Sequence, residues 1–208
     1  MKPKYEQSIF RSLFTWKDLE TLINIRPLMS LERVVIPAVN QGFRWNYDKW
    51  MINPKTYPSK LLRELIEDKV CYFLDMSRYT EELNSFASSL EDEYNESVDA
   101  HIYVCRNTKI EHPFGIHYDF SDNVIVQCEG TTNFKVWNQV DKNTEGKLTI
   151  NNNMNISDNP ILDVDMNLGD AIWIPKYCPH LATSATPRMS VSFPISGDNL
   201  QERDWVKI

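Results

Sequence analysis

Near Val98 the spacing of apolar residues changes from helical to alternating, and that switch restricts the folds open to this 208-residue chain. Beyond it, eight short stretches, some alternating apolar with polar residues and some, such as 124–128 and 171–174, nearly all apolar, lie between turn-forming residues: 101–105, 116–120, 124–128, 133–137, 161–164, 171–174, 181–184 and 189–193. Successive side chains of a strand point to opposite faces, so each stretch can give one face to a core. Eight such strands predict a mainly-β fold, either a double-sheet jelly roll or another barrel.

Residues 1–98 read mostly as helical. Thr15 with Asp18 three residues on forms a capping-box pattern ahead of Leu19, Leu22 and Ile23. Pro58-Ser59 opens a second helix with Leu61, Leu62, Leu65 and Ile66 on one side. Thr80 opens a third, striped by Leu83, Phe86, Ala87, Leu90 and Tyr94. One short strand is expected within 31–37, stopped by Pro37. The aromatic and basic stretch 41–50 fits a loop packed on the core, or a cover over a cleft. A long connection, 138–160, carries an asparagine run at 151–155. The chain has no internal repeat and no Gly-, Pro- or Ser-rich linker, so a single domain is expected.

Asp and Glu number 29 against 22 Lys and Arg, a net charge of −7, so broad capture of nucleic acid or an anionic membrane is not expected. No apolar run reaches membrane-spanning length, and the first residues lack a signal core. Cys71, Cys105, Cys128 and Cys178 are scattered without a Cys-x-x-Cys pair and read as buried thiols of a cytoplasmic protein.

Within the alternating half, His117-Tyr118-Asp119 is followed by the β-branched run Val124-Ile125-Val126 and closed by Gly130. On a strand, His117 and Asp119 share a face. An imidazole and a carboxylate side by side are two thirds of the two-histidine, one-carboxylate set that binds non-haem Fe(II). Such a pair also arises for a local hydrogen bond, so it needs a third ligand. Downstream, Gly169-Asp170 leads into a strand that ends at Pro175, and His180 follows five residues later.

Together these segments resemble the two motifs of the cupin superfamily. In the second, Gly-x5-Pro-x-Gly-x2-His-x3-Asn, Gly169, Pro175 and His180 match, while Tyr177 replaces the inner glycine and Ser184 the asparagine. In the first, His-x-His-x3-Glu-x6-Gly, His117 and Gly130 match, while Asp119 and Asn123 replace the second histidine and the glutamate. His-x-Asp with a later His is similar to the JmjC-type branch of Fe(II)- and 2-oxoglutarate-dependent oxygenases. Asn123, Gln127 and the His101-Ile102-Tyr103-Val104 segment are similar to its asparaginyl-hydroxylase and ribosomal-oxygenase group.

The resemblance implies one JmjC/cupin-like oxygenase domain over 1–208. Its double-stranded β-helix, the cupin jelly roll, would occupy 99–196, with N-terminal flanking helices in 1–98 and a tail at 197–208. It also implies Fe(II) on His117, Asp119 and His180, with positions left for 2-oxoglutarate and O2. The reaction would hydroxylate a substrate C–H bond and release succinate and CO2.

The far carboxylate of 2-oxoglutarate needs a cation or several donors inside the barrel. The related oxygenases carry Lys or Arg two residues after the glycine that closes the second strand. Here that residue is Thr132. Arg188, on an Arg/Ser/Ser face with Ser190 and Ser192, resembles the Arg-x-Ser clamp of other 2-oxoglutarate oxygenases and is the first candidate, with Thr132 beside it. Lys135 is the second, although strand alternation turns it the other way. Tyr103 and Asn123 are carried over as donors to the cosubstrate, or else are satisfied within the core. His101 reads as a core histidine, His112 as solvated, Trp137 and Trp173 as packing, and nothing beyond its position marks Cys178 as a nucleophile.

The leading expectation is thus a hydroxylase of a protein side chain, as a monomer or small homodimer. A small-molecule or nucleic-acid-base hydroxylase is the second reading. A metal-binding cupin module without turnover is the third.

Overall fold

In the computed structural model of the chain, residues 2–11, 13–25, 34–35, 57–108, 115–140, 156 and 159–195 are described. The stretch 41–50, His112, the asparagine run 151–155 and the tail 197–208 lie outside them. The described helices are α1 (Trp16–Ile23), α2 (Ser59–Asp68) and α3 (Glu81–Tyr94). The described strands begin with β1 (Lys4–Glu6), β2 (Val34–Val35), β3 (Cys71–Phe73), β4 (His101–Cys105) and β5 (Asp122–Glu129). They continue with β6 (Thr132–Val136), β7 (Leu162–Met166), β8 (Ala171–Ile174), β9 (His180–Thr183) and β10 (Arg188–Ile195).

Two antiparallel sheets result, ordered β1-β8-β5-β10-β4-β3-β2 and β7-β6-β9. A single bridge between His117 and His180 adds the rudiment of a fourth strand beside β9 in the smaller sheet. With β8, β5, β10 and β4 opposite, this is the four-on-four arrangement of a jelly roll. It agrees with the mainly-β class expected from the alternating pattern.

β5 shows why this chain folds so. Its apolar run is nearly continuous because both faces are covered: Val124, Val126 and Cys128 enter the core shared with the helices, whereas Ile125 enters the core between the sheets. β10 divides its faces differently. Met189, Val191, Phe193 and Ile195 join the helix-side core, and Arg188, Ser190 and Ser192 turn between the sheets. The helices close the back of the large sheet. Thr15 caps α1 in the expected box with Asp18, and α3 sets Phe86 edge-on to Phe193 at 4.8 Å.

Three expectations need correction. The segment 116–120 is not a regular strand, because β9 begins only at His180 and offers it one residue to pair with. Residues 1–98 hold more strand than the one expected within 31–37, where β2 lies, since β1 and β3 also extend the large sheet. Leu61, expected in the buried stripe of α2, is exposed, and Leu62 and Ile66 are the residues that helix buries. Among the described residues no helix is long and apolar enough to cross a membrane.

Gly130, between β5 and β6, has φ +66°, and a Cβ there would overlap the Pro187 carbonyl oxygen. Gly130→Ala is therefore expected to cost about 2–4 kcal/mol and to lower Tm by roughly 4–16 °C, from left-handed strain plus the clash. A thermal melt checks this; an unchanged Tm would mean that the 187 turn yields freely.

Candidate metal centre and pocket

His117 and His180 are locked together through their backbones. The His117 N–H donates to the His180 carbonyl at 3.1 Å, and the His180 N–H donates back at 2.7 Å. Their ring centroids lie 4.4 Å apart. Asp119 joins them from the same segment, and its carbonyl accepts the Tyr177 N–H at 2.9 Å. One ligand atom from each of His117, Asp119 and His180 lies within 4.8 Å of the others, the single such histidine, cysteine and carboxylate cluster among the described residues.

The imidazoles are set for coordination by the groups behind them. Nδ1 of His117 faces the Gly115 carbonyl at 3.0 Å, and Nδ1 of His180 faces the Cys178 carbonyl at 3.1 Å. A carbonyl only accepts, so each Nδ1 carries the proton and each basic lone pair is on Nε2. Burial, and then the neighbouring His180, hold the His117 pKa down at about 4 despite the opposing pull of Asp119, so its ring is neutral at pH 7. Two imidazoles, each with Nε2 free for a metal, and one carboxylate fit a divalent transition metal with positions left open.

The turn that delivers His180 is strained. The Cys178 N–H donates to the Pro175 carbonyl at 3.1 Å, and Tyr177 sits third in that turn with φ +64°. A type II turn asks for glycine there, which is what the cupin motif carries; a tyrosine costs about 1–2 kcal/mol. Ring contacts with Tyr118 and Phe120, both at 6.0 Å between centroids, offset part of that cost. Asp122 fastens the same turn by accepting the Lys176 N–H at 2.6 Å. Asp122 was not among the residues expected at the site, and no local signal marks it because its partner is 54 residues away.

These three candidate ligands line one pocket with Tyr103, Thr132, Arg188, Ser190 and Ser192, while Ile125, Phe134 and Ala182 supply apolar walls. Val70, also in its wall, comes from the N-terminal part and was not anticipated. Arg188 is 5% exposed; its Nη1 has no hydrogen-bond partner, and no carboxylate pairs it among the described residues. Burial pulls its pKa below the ordinary arginine value. The Thr132 hydroxyl is likewise buried without a partner. Two orphaned donors in one pocket fit an anion.

Lys135 does not belong to this site. It points away, 42% exposed by its side chain, with Nζ 3.6 Å from the Asp163 carboxylate. Alternation on β6 decides the matter, because Thr132, Phe134 and Val136 take the inner face. Asn123 is buried but absent from the pocket wall, and its amide donates to Asp119 Oδ2 at 2.6 Å. Tyr103 lines the pocket with Ser192, and burial pushes its phenol well above the ordinary value. His101 pairs with Asp99 at 3.4 Å, outside the pocket wall. Burial pushes the Cys178 thiol up to about 11, which suits packing rather than nucleophilic chemistry.

The chain can now be set beside known proteins. No curated protein sequence matches it. Among solved structures it is similar to the ribosomal oxygenase YcfD from Escherichia coli. The complex of that protein with cobalt and 2-oxoglutarate gives a TM-score of 0.64 at 17% identity, over 95% of this chain and 49% of that one. The complex with cobalt and succinic acid gives 0.63 at 16% identity and the same coverage. The chain thus spans about half the length of these structures, and at such identity the likeness speaks for the fold alone. The JmjC domain profile matches residues 74–203, more than half of the chain, and takes in all three converging side chains. The chain belongs to the JmjC domain family.

Proposed function

We propose that the protein is an Fe(II)- and 2-oxoglutarate-dependent hydroxylase of a protein side chain, with residues 1–208 acting as one oxygenase domain. The carrying observation is the pairing, in one pocket, of a facial ligand set with a buried guanidinium that has no carboxylate partner among the described residues. The set alone fits any of several divalent metals. The guanidinium adds a demand for an anion beside the metal, and a keto acid with a second carboxylate meets both.

In this reading His117, Asp119 and His180 hold the metal, with the imidazole N–H groups anchored so that neither ring turns. Arg188 and Thr132 bind the far carboxylate of 2-oxoglutarate. Ile125, Phe134 and Ala182 exclude water along its methylenes. When bound, iron with the keto acid and O2 supplies the oxidation, in which one oxygen atom enters the substrate C–H bond and the other enters succinate as CO2 leaves. The protein's part is to bind, orient and shield.

Support for a protein substrate comes from the fold likeness to a ribosomal oxygenase. Thr132, standing where the related enzymes carry Lys or Arg, favours one other reading, a metal-binding module without turnover. The test is aerobic incubation with Fe(II) and 2-oxoglutarate, alone and with ribosomal protein fractions. The expected result is metal-dependent succinate, increased by one fraction, with a one-oxygen mass gain on a peptide from it. Retained metal and 2-oxoglutarate binding with no succinate from any fraction would leave the module.

A further inference from the structure

Asp119 lies on a segment with almost no ladder, so strand pairing alone does not fix its carboxylate. What holds the carboxylate is a hydrogen-bonded chain from two neighbouring strands. Asn123 of β5 donates Nδ2–H to Asp119 Oδ2 at 2.6 Å, and Ser192 of β10 donates its hydroxyl to Asn123 Oδ1 at 3.0 Å. The directions follow from chemistry. An ionised carboxylate accepts only, so the amide nitrogen faces it and the amide oxygen faces Ser192. Ser192 must then give its one proton to that oxygen. Asn123 and Ser192 are both buried, and Asn123 does not reach the pocket surface.

We infer that Asn123 and Ser192 are positioning residues for the metal-binding carboxylate, and that the cosubstrate's donors are Arg188 and Thr132. This rests on the proposed metal and 2-oxoglutarate reading and changes one part of it. Asn123, expected to touch the cosubstrate, acts through Asp119 instead. The four residues differ in what engages them: Asn123 Nδ2 and Ser192 Oγ each donate a hydrogen bond within the chain, whereas Arg188 Nη1 and Thr132 Oγ1 have no partner. A short, charge-assisted bond of this kind fixes the rotation of the carboxylate relative to the two imidazoles.

The test uses binding rather than turnover. Apo protein is titrated calorimetrically with Co(II), and the Co(II) protein is then titrated anaerobically with 2-oxoglutarate. Asn123→Ala should weaken Co(II) by about 10–100-fold and alter the cobalt visible spectrum, with 2-oxoglutarate affinity of the metal-saturated protein within about twofold of the wild type. Ser192→Ala, which leaves the amide in place, should weaken Co(II) by a smaller factor. That effect should vanish in the Asn123→Ala background, as it must if Ser192 acts through the amide. Unchanged Co(II) affinity and spectrum in Asn123→Ala, with weakened 2-oxoglutarate binding, would overturn the inference and return Asn123 to the cosubstrate. Should Asn123→Ala fail to fold, Ser192→Ala decides alone: unchanged metal affinity overturns the inference. Failure of the wild type to bind Co(II) at all would instead sink the functional reading.

Discussion

Asp119→Ala is expected to lower Fe(II) affinity by more than about a hundredfold, beyond the loss typical of an outer-shell partner, and to abolish succinate formation. Its carboxylate is the one acidic group of the His117, Asp119 and His180 cluster, and without it two imidazoles remain to hold a divalent cation. The fold should persist. Asp119 is half-buried, and the helix-side and inter-sheet cores do not include it. The structural cost is the Asn123 N–H left without its acceptor, about 1–3 kcal/mol, so a melt should still be cooperative and only a few degrees lower. Metal titration followed by calorimetry and circular dichroism on one preparation separates the two effects.

Arg188→Met should do two things that seldom go together. The 2-oxoglutarate affinity of the metal-loaded protein should fall at least about 30-fold, equivalent to about 2 kcal/mol, since a buried anion would lose its charged partner. The ligand-free protein should meanwhile become more stable, by roughly 1–4 kcal/mol. It currently buries a guanidinium that no carboxylate compensates among the described residues, and a thioether of similar length removes that burden. Fe(II) affinity should not change. Lys135→Ala is the control: its partner is Asp163 on the outer face, so it should leave the 2-oxoglutarate affinity untouched. A lower Tm for Arg188→Met with unchanged keto-acid affinity would make Arg188 a structural residue.

The fold was legible where a strand ran long enough to alternate, or where an apolar run was bounded by turn residues. β4 occupies the bounds its alternation predicts, β8 those of the apolar run 171–174 that ends at Pro175, and β10 showed its Arg/Ser/Ser and Met/Val/Phe faces in the sequence. β1 and β3 have three residues each, too few for a period, and they form because the edges of the large sheet accept them. The segment 116–120 alternates as a strand does but finds one residue to pair with, so its pattern brings His117 and Asp119 beside His180 without a ladder.

The convergence of His117, Asp119 and His180 was legible because each is a rare residue type at a recognisable spacing. The roles around them were less so. Alternation already turned Lys135 away from Thr132, and the structure agrees. The task of Asn123 could not be read, because it depends on where Asp119 points and on Ser192, 69 residues further along.

The most direct measurement is anaerobic addition of 2-oxoglutarate to the Fe(II)-loaded protein, followed by visible absorption. A weak charge-transfer band that saturates at one equivalent, and that is lost in Asp119→Ala, is the predicted result. A wild-type protein that takes up Fe(II) at the His117, Asp119 and His180 cluster yet shows neither the band nor calorimetric binding of 2-oxoglutarate would contradict the account.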